Sequence, residues 1–209
     1  MSKKTKRIRD GQLTAIVGKV GTGKTVLGKL LAHDLVEKGE IVLVLTSKVS
    51  DEWTATHIYH DSADLIHDLK RIKGAFVFID ESARTVGRDM GADIVKNASW
   101  LFEESRESGH QIFVIMQDFT AIPKHSRKQF SNVYLFKVHI DEAKEWARVF
   151  ADDDLRDAAD IPKLQFIKKL DDDPATLQKL PPFEEMPEFK LKPLSFKDKV
   201  MSRYDAMKR

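Results

Sequence analysis

Residues 18–25 read Gly-Lys-Val-Gly-Thr-Gly-Lys-Thr, and this stretch constrains the fold more than any other part of the chain. It fits the pattern G-x-x-x-x-G-K-[ST] at every fixed position. The apolar run before it, residues 13–17, is typical of a buried strand. The segment after it, residues 25–38, carries leucines at helical spacing and stops at Gly39. A strand, a glycine-rich loop and a helix in this order form a phosphate-binding unit, so the chain is predicted to bind a nucleoside triphosphate.

The residues of this loop have distinct expected roles. The glycines allow the backbone to pass close to a phosphate, and the loop N–H groups and the helix N-terminus favour an anion. Lys24 is expected to reach the β- and γ-phosphates, and the Thr25 hydroxyl to ligate Mg²⁺. The predicted nucleotide-binding residues are Gly18, Lys19, Val20, Gly21, Thr22, Gly23, Lys24 and Thr25.

A second motif lies where the apolar run of residues 75–79 ends in Asp80 and Glu81. Such a run predicts a strand buried on both faces, with its carboxyl end opening into a site. Asp80 is then expected to hold Mg²⁺, usually through water, and Glu81 to polarise the water that attacks the γ-phosphate. A strand followed by an ordinary acidic turn is the plain alternative. Because a phosphotransferase excludes water whereas a hydrolase must activate it, an Asp-Glu pair favours hydrolysis.

The rest of the chain predicts alternating strands and helices. Further strands are expected over residues 40–47, 56–60, 111–117, 132–138 and 164–168, and helices after Asp61 and over residues 92–108 and 142–150. This alternation predicts an α/β fold of the P-loop NTPase (ASCE/RecA-like) kind, a mainly parallel sheet with helices on both faces.

Composition divides the chain and excludes some classes of protein. There is no cysteine, and no apolar run approaches the roughly 18 residues that would span a bilayer, so an intracellular protein without a transmembrane segment is expected.

The chain is expected to divide into a basic arm, residues 1–10, and an ATPase domain, residues 11–170. Residues 171–209 are rich in proline and end in an amphipathic pattern. An extended arm with a terminal helix that docks in cis or on a neighbouring subunit is expected there, with a disordered tail as the alternative.

Residues 104–117, from Glu104 to Gln117, resemble the arginine–glycine–strand–glutamine block of the FtsK/HerA superfamily of DNA-translocating ATPases. The order of motifs over residues 11–170 is also similar to theirs: P-loop, Asp-Glu strand, a helix ending in arginine, then a strand ending in glutamine. The short chain resembles in particular the genome-packaging ATPases of membrane-containing icosahedral viruses.

The resemblance implies further site residues. Gln117 matches the polar sensor of the γ-phosphate, with a strand-end amide that bonds a loop as the alternative. Arg106 matches the arginine that reaches the nucleotide of an adjacent subunit, although it could instead pair with Glu103 on the helix surface. Arg84 and Arg88 compete for the same role.

The resemblance also implies cofactors and partners: ATP and Mg²⁺, double-stranded DNA, a pentameric or hexameric ring of this chain, and capsid vertex proteins. It implies that this protein is located in the host cytoplasm, with association with the packaging vertex of the virion as a further expectation. The net charge of +2 means that DNA must be met by local patches, for which the basic loop with Lys124, Arg127 and Lys128 is one candidate. A solvated basic surface is the alternative for this loop. Three other functions stay open: a cellular or plasmid translocase for DNA export or repair, a P-loop small-molecule kinase, and a nucleotide-gated assembly protein.

Overall fold

The computed structural model describes residues 10–48, 52–80, 107–117 and 127–190. Within these ranges no helix is long and apolar enough to cross a lipid bilayer. The basic arm of residues 1–9 and the predicted terminal helix lie outside the described residues. So does nearly all of the helix predicted over residues 92–108.

The described strands form one eight-stranded sheet in the order β3-β2-β4-β5-β1-β6-β7-β8. The strands are β1 Gln12–Val17, β2 Val42–Leu45, β3 His57–Tyr59, β4 Phe76–Asp80, β5 Gln111–Met116, β6 Asn132–Phe136, β7 Gln165–Leu170 and β8 Thr176–Lys179. From β3 to β6 all neighbours pair in parallel, whereas β7 and β8 join the edge in antiparallel register. The predicted α/β fold with a mainly parallel sheet is therefore confirmed.

The β7–β8 hairpin extends the sheet past residue 170, where the sequence predicted the arm to begin. Thr176 lies opposite Lys168 and Lys179 lies opposite Gln165. All four residues of β8 are exposed, and their sequence, Thr-Leu-Gln-Lys, contains one apolar residue. The alternation of apolar and polar residues that usually predicts a strand is therefore absent from this segment.

Helices cover both faces of the sheet. Helix α1, Lys24–Glu37, packs on one face together with the buried Trp53. Helix α2, Ser62–Leu69, and helix α3, Ile140–Phe150, lie on the other face with the 3₁₀ helix Asp153–Ala159. The predicted cap of α2 is confirmed, because the Asp61 carboxylate accepts hydrogen bonds from the amides of Ala63 and Asp64.

Helix α1 approaches the sheet closely through a small residue. The leucines expected on its inner face are only partly buried apart from Leu27, and the deepest positions include Gly28 and Ala32. A Cβ at Gly28 would lie 2.6 Å from Cδ1 of Ile115 and 3.2 Å from the Trp53 ring. The absence of a side chain at Gly28 therefore sets the distance between α1 and the strands that carry the site.

The described part of the C-terminal arm packs on the same chain. Phe189 lies edge-on to the His33 ring, with 6.4 Å between ring centroids. The Lys29 ammonium is 5.8 Å from the Trp53 ring centroid and 5.9 Å from that of Phe189, within the range of cation–π attraction. Within the described residues, Phe189 of the arm thus contacts α1 of the same chain.

Candidate nucleotide-binding site

The loop of residues 18–23 connects β1 to α1 at the carboxyl edge of the parallel strands and is tied to both neighbours of β1. The Gly18 amide donates to the Met116 carbonyl at the end of β5 (3.3 Å), and the Lys19 amide donates to the Lys137 carbonyl after β6 (2.9 Å). Gly18, with a φ of 156°, leaves no room for a side chain, since a Cβ there would lie 2.5 Å from Cβ of Phe136. The loop is therefore held in place by the sheet.

Two side chains of the loop bond to one carbonyl. The Lys24 ammonium donates to the Lys19 carbonyl at 2.8 Å, and the Thr22 hydroxyl donates to the same oxygen at 2.8 Å. Lys24 is 7% exposed, so its charge lies inside the loop rather than in open solvent. The positive end of the α1 macrodipole and the Lys24 ammonium both lie at the start of α1. Together they make the electrostatic potential there positive, which favours the binding of an anion.

Asp80 and Gln117 reach the same edge on adjacent strands. In register, Asp80 of β4 lies opposite Ile115 of β5, and Met116 lies opposite Val17 of β1. Gln117 follows Met116 directly and is exposed, whereas Asp80 is 2% exposed. The end of β5, where Gln117 follows, thus stands between the loop of residues 18–23 and Asp80.

The oxygen groups at this edge fit a magnesium ion. Thr25, half-buried in the first turn of α1, and the buried carboxylate of Asp80 are hard oxygen ligands of the kind that Mg²⁺ prefers. Strands β1 and β4 are two strand spacings apart, about 10 Å between backbones. Thr25 and Asp80 would hold such an ion, which would neutralise charge on bound phosphates. Among the described residues, no group of three or more His, Cys, Asp or Glu side chains could hold a metal ion by itself.

Several predicted site residues lie outside the described part of the chain. These are Glu81, Arg84, Arg88, Arg106 and Lys124. Their roles in catalysis, in contact between subunits and in DNA binding remain predictions from the sequence.

Two residues of the basic loop have different environments. Lys128 is exposed, whereas Arg127 is 8% exposed and its guanidinium donates to the Glu145 carboxylate of α3 at 3.2 Å. Glu145 also accepts from Arg148 at 2.8 Å. The Arg127 charge is thus engaged within the domain, which argues against a phosphate contact by this side chain and leaves Lys128 as the better candidate.

Three apolar residues from distant segments border the phosphate loop, which no sequence motif had indicated. A Cβ at Gly23 would lie 2.5 Å from Cδ1 of Leu180, 3.2 Å from Cδ2 of Leu164 and 3.4 Å from the Phe136 ring. The Leu164 amide also donates to the Thr22 carbonyl at 3.3 Å. No local pattern identifies these residues, because each meets the loop only after the β6–β8 strands are assembled.

A glycine-rich loop between β1 and α1 and a strand inserted between the loop strand and the aspartate strand define the fold of a P-loop NTPase. Sequence comparison found no matching protein-family model and no matching curated protein. Comparison of structures did find neighbours.

The neighbours include the genome packaging NTPase B204 from Sulfolobus turreted icosahedral virus 2, solved in complex with sulfate and in complex with ATPγS. The sulfate complex is 12% identical, with a TM-score of 0.62, covering 88% of this chain and 99% of B204. The pCW3 conjugation coupling protein TcpA, in its monomer form with ATPγS, is 17% identical with a TM-score of 0.59, covering 93% of this chain and 65% of TcpA.

The cytoplasmic domain of the type VII secretion ATPase EccC from Thermomonospora curvata is 12% identical with a TM-score of 0.58, covering 84% of this chain and 26% of EccC. The fold of this chain is that of a P-loop ATPase and is similar to the folds of these three proteins. Identities this low establish a likeness of fold and nothing finer.

Proposed function

We propose that this chain hydrolyses ATP and uses the energy to translocate double-stranded DNA, as a subunit of a ring-shaped motor that packages a viral genome. The observation that carries the proposal is the convergence of the phosphate loop, the buried Asp80 and Gln117 at one edge of the sheet. The likeness in fold to a genome packaging NTPase supports the choice of a packaging motor among the possible functions of a P-loop ATPase.

In this mechanism the loop amides and Lys24 hold the β- and γ-phosphates. Lys24 then exchanges the neutral Lys19 carbonyl, its present acceptor at 2.8 Å, for anionic phosphate oxygens. Hydrogen bonds between charged partners are about twice as strong as neutral ones, so the exchange favours binding. A magnesium ion held by Thr25 and Asp80 would neutralise charge on the phosphates.

Hydrolysis requires a water aligned with the γ-phosphate. Glu81 follows Asp80 in sequence and is the proposed general base, and Gln117 hydrogen-bonds the γ-phosphate or the attacking water. When the phosphate leaves, Gln117 loses that partner, which gives β5 a means of reporting the nucleotide state.

Assembly into a ring would complete each site. Arg106, with Arg84 and Arg88 as alternatives, is proposed to reach the nucleotide of the adjacent subunit and to offset the charge that develops in the transition state. A ring would also bring the Lys128 side chains of several subunits around a common axis, where they would add up to a positive surface for DNA phosphates.

Other functions remain as alternatives within the same fold. The likeness to the conjugation coupling protein TcpA supports a plasmid or cellular translocase as the second candidate. A small-molecule kinase would have to exclude water from the γ-phosphate, and an acidic residue, Glu81, directly after Asp80 in the sequence argues against that chemistry. A nucleotide-gated assembly protein would bind ATP but turn it over very slowly.

The test measures ATP hydrolysis by the purified chain with no DNA, with single-stranded DNA and with double-stranded DNA, together with the mass of the assembly. We expect double-stranded DNA to raise the turnover rate several-fold in an oligomer. In the presence of ATP, the same oligomer should displace a third strand from a DNA triplex.

Each alternative predicts a different result. An ATP hydrolysis rate that does not change when DNA is added would refute the translocase function, although the protein would still be an ATPase. Transfer of phosphate to a small acceptor would favour the kinase. Lys128→Ala should weaken the response to DNA and leave the DNA-free rate unchanged. The matched control Lys70→Ala, an exposed lysine at the end of α2, should respond to DNA like the wild type.

A further inference from the structure

Leu164, directly before β7, has a left-handed backbone conformation that is unfavourable for leucine. Its φ is 64°, and among the described residues the other non-glycine positions of this kind are Ala151, which ends α3, and Asp171, in the β7–β8 turn. A branched side chain in this region costs free energy that glycine would avoid and asparagine would reduce. Strain of this kind at a fixed position points to a role for the side chain itself.

The backbone of Leu164 joins the phosphate loop to the end of the sheet. Its amide donates to the Thr22 carbonyl (3.3 Å) and its carbonyl accepts from the Leu180 amide (2.9 Å). Its Cδ2 lies 3.2 Å from the position that a Cβ of Gly23 would take. The side chain therefore lies beside the first turn of α1, next to the phosphate loop.

Core packing does not account for the leucine. Of the three apolar residues that border Gly23, Leu180 is 3% exposed and Phe136 is 0% exposed, so these two belong to the core. Leu164, in contrast, is 45% exposed. A leucine in a strained backbone conformation is thus nearly half exposed beside the proposed phosphate site. Such a surface suits a flat apolar ligand group.

The strand order determines which part of a nucleotide would meet this surface. Asp80 and Gln117 lie on β4 and at the end of β5, on one side of β1, while Leu164 precedes β7 on the other side. The γ-phosphate must lie on the side of Asp80 and Gln117. The base is attached at the opposite end of the triphosphate and therefore extends toward β6, β7 and β8.

We propose that Leu164 contacts the nucleobase and supplies apolar affinity for the nucleoside half of the substrate. The assignment rests on the proposed nucleotide-binding function of the loop. It makes Leu164 a residue that determines affinity rather than the rate of the chemical step, because a contact to the base is the same in the ground state and in the transition state.

The test compares two ligands on two variants. Leu164→Asn and Leu164→Gly remove the apolar side chain and relieve the backbone strain, so both should fold. We expect the Kd of ATP to rise about 5- to 20-fold in both, as the loss of part of a buried leucine contact implies, with little change in kcat. The Kd of inorganic tripolyphosphate, which has no base, should stay at the wild-type value.

The control is Leu177→Asn, which removes a leucine that is 60% exposed on β8, and it should leave both affinities unchanged. Unchanged ATP affinity in both Leu164 variants would overturn the assignment. An equal loss of affinity for ATP and tripolyphosphate would also overturn it, because it would mean that Leu164 only supports the loop. Wild-type protein that binds neither ligand would instead refute the nucleotide site as a whole.

Discussion

His110 should make the stability of the fold depend on pH. It lies directly before β5, is 0% exposed, and sits between the Ala75 amide, which donates to its Nδ1 at 3.2 Å, and the Leu69 carbonyl, which pairs with its Nε2 at 3.2 Å. Burial lowers the pKa of the imidazole from 6.5 to about 4. Because Nδ1 accepts a hydrogen bond, the folded state holds the neutral ring, and protonation would break that bond.

The sign and size of the effect follow from this shift. Between pH 6.5 and 4 the unfolded chain binds a proton that the folded chain does not, so stability falls as the pH drops through this window and is fully present above it. The full difference is about 3 kcal/mol, of which roughly 2 kcal/mol is lost between pH 7 and pH 5.

Urea unfolding at pH 7 and pH 5 tests this prediction. The wild type should lose about 2 kcal/mol more than His110→Gln over this interval, whatever the absolute stability of the variant. The control His67→Gln removes an imidazole that is 59% exposed, and it should keep the wild-type loss because His110 is still present. Equal pH dependence in the wild type and His110→Gln would refute the argument.

Three further predictions concern the site. Glu81→Gln should bind ATP but hydrolyse it at least about 10²-fold more slowly, since an amide cannot act as a base, and equilibrium binding with phosphate release checks both parts. Arg106→Ala should bind ATP and lose about 10²–10³-fold in turnover. Mixing it with Glu81→Gln should restore part of the activity if the arginine acts between subunits, whereas a cis role predicts no recovery. Gly18→Ala should destabilise the fold by roughly 1–3 kcal/mol more than Gly21→Ala in urea unfolding. The reason is that a Cβ at Gly18 would lie 2.5 Å from Cβ of Phe136 while one at Gly21 meets nothing within 4 Å, and equal losses would contradict it.

Local signals explain why much of the fold could be predicted. The β1–loop–α1 unit, the cap at Asp61 and the buried β4 all depend on residues that are near one another in sequence. The resemblance implied that Gln117 ends a strand beside the phosphate loop; β5 pairs with β1 and β4, and the sensor role of Gln117 stays a prediction.

The parts that sequence did not predict depend on contacts between distant residues. The prolines after residue 173 suggested an irregular arm, but Thr176–Lys179 pairs with β7 because the preceding turn reverses the chain. Arg127 was a candidate DNA contact in a basic loop, and only the packing of α3 supplies its partner Glu145. Leu164 carries no motif, and its relation to the phosphate loop requires that β6, β7 and β8 be assembled first.

The central claim is that residues 18–25 form an ATPase site. It is tested most directly by measuring how fast the Lys24→Ala variant releases phosphate from ATP. Lys24 is the buried cation within the loop and is 7% exposed, so its loss should reduce turnover by at least about 10²-fold while the urea midpoint stays close to that of the wild type. Lys38→Ala, an exposed lysine at the other end of α1, should hydrolyse ATP at the wild-type rate. Hydrolysis near the wild-type rate by folded Lys24→Ala would contradict the account.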